Sequence, residues 1–280
     1  MWSLLEFFPE DFQINILDVG AALSERPPYQ SLVDVGRGRI FGFEPNREEC
    51  EQLNREYGNS HSFFPFFIGD GRPAIFHETN WVLTGSLYEP NSRLLEKFQN
   101  LAEVVTPVAV HPVETTRLDD IPEIGDIDFI KIDVQGSELA VFKNASRALS
   151  SALLIQTEVE FVELYKGQPM FADVDTFLRA SGFQFHTLNG FSGRAFKPLI
   201  ANGDVNSAFR QALWSDALYV RDWMRLDDLS EAKLRNYAIL AHDVLRSYDL
   251  THLVLSALDS RTGGNRAAHY LGRLTEKKTR

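Results

Sequence analysis

Short apolar runs alternate with helical patterns along most of the chain. This alternation predicts a parallel sheet with helices on both faces, an α/β fold. The runs expected to form the sheet are residues 14–19, 39–43, 62–68, 127–132, 152–161, 183–188 and 217–220. The helical patterns between them cover residues 47–57, 137–149 and 173–181.

The last two runs are joined by irregular sequence, residues 189–216, with no clear crossover helix. Parallel neighbours need a crossover of a dozen or more residues, usually a helix. We therefore expect a closing antiparallel pair, which gives a sheet of about seven strands with a reversed final strand.

Residues 72–120 depart from the alternation. Strands are expected over residues 73–77 and 104–113, with a short helix over 92–99 between them. An additional β-ribbon beside the main sheet would satisfy this pattern.

The end of the chain has helical spacing. Beyond Asp222, the periodicity predicts helices over residues 229–247 and 250–258 and then a turn at 263–265. We expect one domain over residues 1–222 and a C-terminal helical extension with a basic tail over residues 223–280.

Charge and composition narrow the classes of partner. The formal net charge is −11, which disfavours nucleic acid because a phosphate backbone attracts the opposite sign. No apolar run approaches the ~20 residues of a membrane helix. The start of the chain has no basic region typical of a signal peptide, and Cys50 is the single cysteine. We expect a cytoplasmic protein without a membrane span.

Polar residues and glycines close the predicted strands, and at the carboxyl ends of parallel strands they should converge on one crevice. The expected ligand-binding residues are Asp18, Gly20, Glu44, Asp70 and Gly71. Glu44 is placed to accept hydrogen bonds from two ribose hydroxyls, although an acid that opens the next helix fits the same position. Asp70 could accept from an adenine amino group, or it could form a turn with its flanking glycines.

The loop after Gly20 lacks the glycine-rich pattern that cradles a pyrophosphate. This absence argues against a nicotinamide oxidoreductase. It favours a nucleoside ligand that has a charged tail and no phosphate, such as S-adenosylmethionine. Asp18 could contact the ammonium group of that tail. Residues 21–28 contain Pro27-Pro28. They predict a mobile or unusually shaped loop over that tail.

The fourth and fifth strands supply candidate chemistry. Lys131 lies in a buried strand and should be paired, with Glu158 as its expected partner. Asp133 and Glu160 are the candidate catalytic bases for a hydroxyl, and together with Glu158 they could also hold a divalent cation. His186 is a further candidate base, although a lone histidine in a strand is more often packed.

Residues 128–138, DFIKIDVQGSE, resemble the FkbM-type methyltransferases, whose usual run here is D-x-[IL]-K-[IL]-D-[VI]-E-G-x-E. Gln135 is the departure from this run. Three further segments resemble the family in the same order: residues 18–21, 43–45 and 167–173. The resemblance covers about residues 14–222.

This resemblance implies a class I methyltransferase (Rossmann-like) fold and S-adenosylmethionine as donor. It also implies a donor site lined by Asp18, Glu44 and Asp133, and O-methylation of a sugar, glycan or natural-product acceptor. The alternatives that stay open are a binding or scaffolding protein with a degenerate donor site and, less favoured, a nicotinamide oxidoreductase. The acceptor pocket is expected in residues 72–100 and 189–215. Their aromatic residues could stack on a sugar or simply pack: Trp81, Tyr88, Phe191, Phe196 and Trp214.

Overall fold

The computed structural model describes residues 2–21 and 26–275, which form a seven-stranded sheet, a three-stranded sheet and helices. The strands are β1 (Ile14–Val19), β2 (Gly38–Phe43), β3 (Ser62–Phe64), β4 (Phe67–Ile68), β5 (Pro73–Thr79), β6 (Pro107–Thr116), β7 (Phe129–Ile132), β8 (Leu154–Glu160), β9 (Phe183–Leu188) and β10 (Trp214–Arg221). The α-helices are α1 (Gln30–Asp34), α2 (Arg47–Tyr57), α3 (Ser92–Leu95), α4 (Leu101–Val104), α5 (Glu138–Phe142), α6 (Ser146–Ser151), α7 (Phe171–Ala180), α8 (Glu231–Ile239), α9 (Tyr248–Thr262) and α10 (Arg266–Thr275). Short 3-10 turns lie at Leu4–Phe7, Gly58–Ser60, Val82–Thr84, Leu118–Asp120 and Trp223–Asp228, and a π turn lies at Leu240–Val244.

The main sheet has the strand order β3-β2-β1-β7-β8-β10-β9. Strand β10 is antiparallel to both β8 and β9, and the other pairs are parallel. The predicted class I methyltransferase arrangement, with its reversed final strand, is confirmed. The order of strands along the chain reverses between β1 and β7, so a crevice is expected at their carboxyl ends.

The two faces of the main sheet are covered by different helices. On one face Ile16, Phe129, Leu154 and Val220 are fully buried in a core shared with α8 and α9. On the other face, neighbours such as Leu17 are buried with residues of α5, α6 and α7. Each buried aliphatic or aromatic side chain contributes roughly 1.5–3 kcal/mol. The C-terminal helices therefore complete one side of the core.

The predicted third strand, residues 62–68, proved to be two strands in different sheets. Its first half is β3 of the main sheet, and its second half is β4, which pairs with β6. Pro65 lies between them and has no amide hydrogen to donate to a ladder. The smaller sheet has the order β4-β6-β5, with β5 and β6 antiparallel. It corresponds to the additional β-ribbon that the sequence suggested beside the main sheet.

The single helix predicted over residues 137–149 is also divided. Helix α5 ends near Asn144, whose side-chain amide donates to the Ala140 carbonyl oxygen at 2.9 Å. Helix α6 then begins where the Asp119 carboxylate accepts from the backbone N–H groups of Ser146 and Arg147, at 2.9 and 3.0 Å. These side chains cap backbone groups that a continuous helix would have paired internally.

Two predicted C-terminal helices are present, the first with an interruption, whereas α10 was not predicted. The pattern over residues 229–247 becomes α8 and the π turn, in which the Asp243 carboxylate accepts from Leu4 N at 3.1 Å. Helix α9 ends at Gly263, whose φ is +68°, at the expected turn. The basic residues 276–280 lie outside the described residues, and the domain boundary at residue 222 stays a prediction. Within residues 2–21 and 26–275, no helix combines the length and apolar character needed to cross a membrane.

Candidate active site

A cavity of about 1270 Å³ opens at the carboxyl ends of the central strands. Residues 79–87, which we call the cover segment, form one wall, and residues of the 189–216 region form another. The cavity thus lies at the reversal in strand order, where open α/β sheets bind ligands. Polar residues that line it from the main sheet include Asp18, Lys131, Gln156, Glu158 and Asp216, and Glu44 and Asp133 line it directly after β2 and β7.

Gly20 brings the ends of β1 and β7 together. Its φ is +85°, and a Cβ atom there would lie 2.1 Å from the carbonyl oxygen of Asp133. Asp133 N also donates to the Val19 carbonyl oxygen at 3.0 Å. Only glycine fits this conformation and spacing. The sequence assigned Gly20 to close approach of a ligand, whereas the close approach seen here is to the neighbouring strand end.

Asp18 is compensated on both carboxylate oxygens. Lys131 Nζ donates to Oδ1 at 3.1 Å, and the buried Tyr29 hydroxyl donates to Oδ2. Burial lowers the pKa of Lys131, but the nearby Asp18 and Asp133 raise it by more, so the pKa lies above its ordinary value. The prediction that Lys131 pairs with Glu158 was wrong, because Asp18 is the residue directly opposite Lys131 in the β1–β7 register.

Glu44 lies directly after β2 on the cavity wall. Its Oε1 accepts from Asn46 N at 2.7 Å, and its Oε2 has no hydrogen-bond partner among the described residues. Burial raises the pKa of Glu44 to about 7, against the lowering effect of the Asn46 N–H group, and the nearby Glu49 raises it further. Asn46 itself caps α2. Glu44 can therefore accept hydrogen bonds in the cavity while it also supports the start of the helix.

Asp133 and Glu158 are joined by the side chain of Gln135. Its Nε2 donates to Asp133 Oδ1 at 2.8 Å and to Glu158 Oε1 at 3.0 Å. Burial raises the pKa of Glu158 well above its ordinary value, and the nearby carboxylates of Asp133, Glu160, Glu138 and Asp216 raise it further. Glu158 therefore holds a proton more readily than an ordinary glutamate does.

Glu160 and His186 do not line the cavity. Glu160 is 1% exposed, and burial, with Glu138 and Asp133 nearby, raises its pKa. Burial also lowers the pKa of His186, which is half-buried on β9. In the same strand as Glu160, Glu158 is the carboxylate that reaches the cavity.

Asp70 and Gly71 also lie outside the cavity lining. Asp70 Oδ1 accepts from Arg72 N at 3.1 Å, which is a turn contact. Gly71 has a φ of +82° and packs against the Arg117 side chain. These contacts agree with the turn that the sequence offered as the alternative to adenine binding.

The two segments expected to form the acceptor pocket both reach the cavity. Trp81 and Trp214 line it, and the Arg194 guanidinium lies 5.3 Å from the Trp214 ring centroid. Phe196 instead stacks on Phe98, while Tyr88 and Phe191 also lie outside the lining. Of the predicted loop over residues 21–28, Ala22–Glu25 lie outside the described residues, so its shape stays a prediction.

Sequence reasoning missed Tyr29, Tyr165 and Asp216. Asp216 pairs directly with Glu158 in the antiparallel β8–β10 register, which no local pattern predicts. Tyr165 is buried beyond the end of β8, and its hydroxyl contacts Gln135 Oε1 at 3.0 Å. Residues 167–173 hold this loop, since Gln168 Oε1 accepts from Tyr165 N at 2.5 Å. Their resemblance to family segments was the one available signal.

The carboxylates of the site are not arranged as a metal centre. Across residues 2–21 and 26–275, no three His, Cys, Asp or Glu side chains form a group that could hold a metal ion. The same region does provide hydrogen-bond acceptors at the end of β2 and proton acceptors at the ends of β7 and β8. These groups suit a nucleoside ligand and proton transfer, respectively.

Comparisons with known proteins give a family match and distant structural similarities. The family model described as Methyltransferase FkbM domain matches residues 18–185. Magnesium protoporphyrin IX methyltransferase from Synechocystis PCC 6803, solved with bound SAM, is 14% identical, with 75% of this chain and 71% of that chain covered and a TM-score of 0.39. The O-MT portion of StiE is 10% identical, with coverage of 88% and 74% and a TM-score of 0.37. No curated protein matches the sequence.

Proposed function

This chain belongs to the FkbM methyltransferase family, and we propose that it transfers a methyl group from S-adenosylmethionine to a hydroxyl group of a sugar, glycan or natural-product acceptor. The observation that carries the proposal is the cavity that joins Glu44, at the end of β2, to Asp133 and Glu158, at the ends of β7 and β8. A cavity of about 1270 Å³ exceeds the ~300–1,000 Å³ that one drug-sized ligand occupies. It has room for donor and acceptor together.

The residues near β1 and β2 fit the donor. The Oε2 atom of Glu44, which has no hydrogen-bond partner among the described residues, can accept from the ribose hydroxyls, as an acid at this position does in dinucleotide folds. Lys131 is held by Asp18 and the Gly20 carbonyl oxygen, and it can donate to the carboxylate of the methionine tail. We call this part of the cavity, with Asp18, Glu44 and Lys131, the donor side.

The residues near β7, β8 and β10 fit the acceptor. The donor supplies an electrophilic methyl group; its transfer forms a C–O bond, breaks the C–S bond and releases the hydroxyl proton. Asp133, which lines the cavity, is the proposed base for that proton. We assign the second carboxylate to Glu158 in place of Glu160, because Glu158 lines the cavity. We call this part, with Asp133, Glu158 and Asp216, the acceptor side.

An acceptor with hydroxyl groups and an apolar ring face suits the remaining walls. Trp81 and Trp214 offer aromatic surface, while Asn189 and Ser192 offer hydrogen-bonding groups. The net charge of −11 argues against nucleic acid as acceptor. A cytoplasmic location stays a prediction that is supported by the single, buried cysteine, Cys50.

Methyl transfer can be tested before the acceptor is identified. Protein incubated with radiolabelled S-adenosylmethionine and a panel of sugars, oligosaccharides and phenols should label a hydroxyl compound. The label should survive base treatment, which removes methyl esters but not methyl ethers. Asp70→Asn, outside the cavity, is the control expected to retain activity. Base-labile label would contradict O-methylation of a hydroxyl. Binding of the donor without turnover on any acceptor would favour the binding-protein alternative.

A further inference from the structure

Gln135 has a backbone conformation that residues other than glycine seldom adopt. Its φ is +52°, and Gly136 follows at +94°. A non-glycine residue in the left-handed region is held there by its surroundings, and such residues concentrate at functional sites. The contacts of Gln135 show what holds it.

The side-chain amide of Gln135 lies between two carboxylates and a tyrosine. Its nitrogen contacts Asp133 and Glu158, as described above, and its Oε1 lies 3.0 Å from the Tyr165 hydroxyl, whose single hydrogen has the Thr84 carbonyl oxygen as a second acceptor at 2.9 Å. Carboxylates need donors, whereas a hydroxyl hydrogen needs an acceptor, so these partners fix the orientation of the amide. Both N–H groups of one neutral side chain are then directed at the two acids of the acceptor side.

The cover segment forms a hydrogen bond with the backbone of Gln135. The Ser86 hydroxyl donates to the Gln135 carbonyl oxygen at 2.6 Å, and Ser86 is 1% exposed. The Tyr165 hydroxyl also lies 2.9 Å from the Thr84 carbonyl oxygen. The cover segment, Tyr165 and Gln135 therefore form one connected network above the carboxylates.

A glutamate at position 135 could not make the same contacts. An ionised carboxylate has no N–H group to donate, and it would add a negative charge beside Asp133 and Glu158. The neutral amide instead offers a donor to each acid. This chain therefore depends on glutamine at a position where the run it resembles has glutamate.

We propose that Gln135 is a positioning residue that holds Asp133 and Glu158 as one carboxylate pair, which receives the proton of the acceptor hydroxyl. The inference rests on the proposed function, because the pair needs that acceptor to act upon. In the step, the hydroxyl O–H bond breaks and a carboxylate O–H bond forms, and the proton later passes to water. Gln135 itself contacts neither donor nor acceptor in this scheme.

The test follows the two carboxyl groups directly. In ¹³C-labelled protein, the carboxyl carbon signals of Asp133 and Glu158 are titrated by NMR, after assignment with Asp133→Asn and Glu158→Gln. Other charged or titratable groups that face the pair are Lys131, Glu138, Glu160, Tyr165 and Asp216. They are unchanged in the variants of Gln135, so a shift reports on residue 135.

Two variants separate position from charge. Gln135→Asn tolerates the left-handed backbone but shortens the side chain by one methylene, which withdraws the N–H groups. Both carboxyl signals should then titrate at higher pH than in the wild type. Gln135→Glu should move them higher still, because it adds a charge. Gln52→Glu, on the exposed surface of α2, should leave both titrations unchanged.

The result that overturns the proposal is a wild-type titration of both carboxyl groups in Gln135→Asn, because the charge added in Gln135→Glu shifts nearby titrations whatever the role of residue 135. A merely structural role would lower the melting temperature and leave both titrations in place. Calorimetric titration of the same samples with S-adenosylhomocysteine keeps the two proposals apart. If the wild type does not bind it, the proposed function fails, whereas the carboxyl titrations still decide the role of Gln135.

Discussion

The donor side and the acceptor side of the cavity carry the same kinds of side chain in different electrostatic settings. On the donor side, Asp18 is compensated by Lys131 at 3.1 Å and by the Tyr29 hydroxyl. On the acceptor side, Asp133 and Glu158 share one neutral amide, and burial raises the pKa of Glu158. A compensated acid suits fixed binding of a ligand, whereas crowded acids suit a group that gains and loses a proton.

The largest effect is expected on the acceptor side. Asp133→Asn keeps the shape of the side chain and removes its basicity. Turnover should fall by ~10²–10⁴-fold while affinity for S-adenosylhomocysteine stays close to that of the wild type. Initial rates with the labelled donor measure the first quantity, and calorimetry measures the second.

Asp70→Asn is the matched control, because Asp70 lies in a turn outside the cavity lining. If Asp133→Asn lost donor affinity as strongly as turnover, Asp133 would belong to the donor side. If a chelator abolished turnover of the wild type and Mg²⁺ restored it, the acceptor side would bind a divalent cation instead of supplying a carboxylate base.

The next effect concerns the contact that joins the two sides. Gly20→Ala would place a methyl group 2.1 Å from the Asp133 carbonyl oxygen and force alanine to a φ of +85°. The free energy of unfolding should fall by roughly 2–4 kcal/mol, from backbone strain and overpacking combined. Urea unfolding measures it.

Gly36→Ala separates these two causes. Gly36 has a φ of +71°, and a Cβ atom there would meet nothing within 4 Å. Only the strain, roughly 1–2 kcal/mol, should remain. Equal losses in the two variants would show that the close approach at Gly20 does not limit stability.

A smaller effect is expected on the donor side. Glu44→Gln removes the charge of the acceptor proposed to bind the ribose hydroxyls. Affinity for S-adenosylhomocysteine should weaken by about 1.5–3 kcal/mol, the contribution of a hydrogen bond to a charged group. Glu48→Gln, exposed at the start of α2, should retain wild-type affinity. Unchanged affinity in Glu44→Gln would remove Glu44 from the donor site.

The sequence places Asp18 and Glu44 at the cavity, because position along one strand is local information, whereas Asp70 and Gly71 from the same predicted set lie outside the cavity lining. Asp18 and Glu44 lie at the end of β1 and directly after β2, so apolar runs and their closing residues were sufficient to place them. Asp216 reaches Glu158 only through the antiparallel register of β10, and Tyr165 reaches Gln135 only through a loop. The prediction for Glu160 failed for a similar reason. The alternation of side chains places Glu160 and Glu158 on the same face of β8, but it does not show which of the two lines the cavity.

One predicted strand and one predicted ion pair failed for reasons that are also physical. Residues 62–68 have one apolar pattern, but Pro65 divides them between two sheets. Lys131 was paired with the wrong acid because the β1–β7 register, which places Asp18 opposite it, cannot be read from either strand alone. The predicted fold class is still correct, because it depends on the order of strands and helices along the chain and not on individual residue pairs.

The most direct test of the account is the pH dependence of donor binding. In the free protein, burial raises the pKa of Glu44 to about 7. If ribose hydroxyls bind the ionised form, affinity is complete above pH 7 and is lost as pH falls through 7, by about tenfold between pH 8 and pH 6. Calorimetry with S-adenosylhomocysteine should show this loss in the wild type and its disappearance in Glu44→Gln. A wild-type affinity that is equal at both pH values, or an equal loss in Glu44→Gln, would contradict the assignment of Glu44 to the donor side of the cavity.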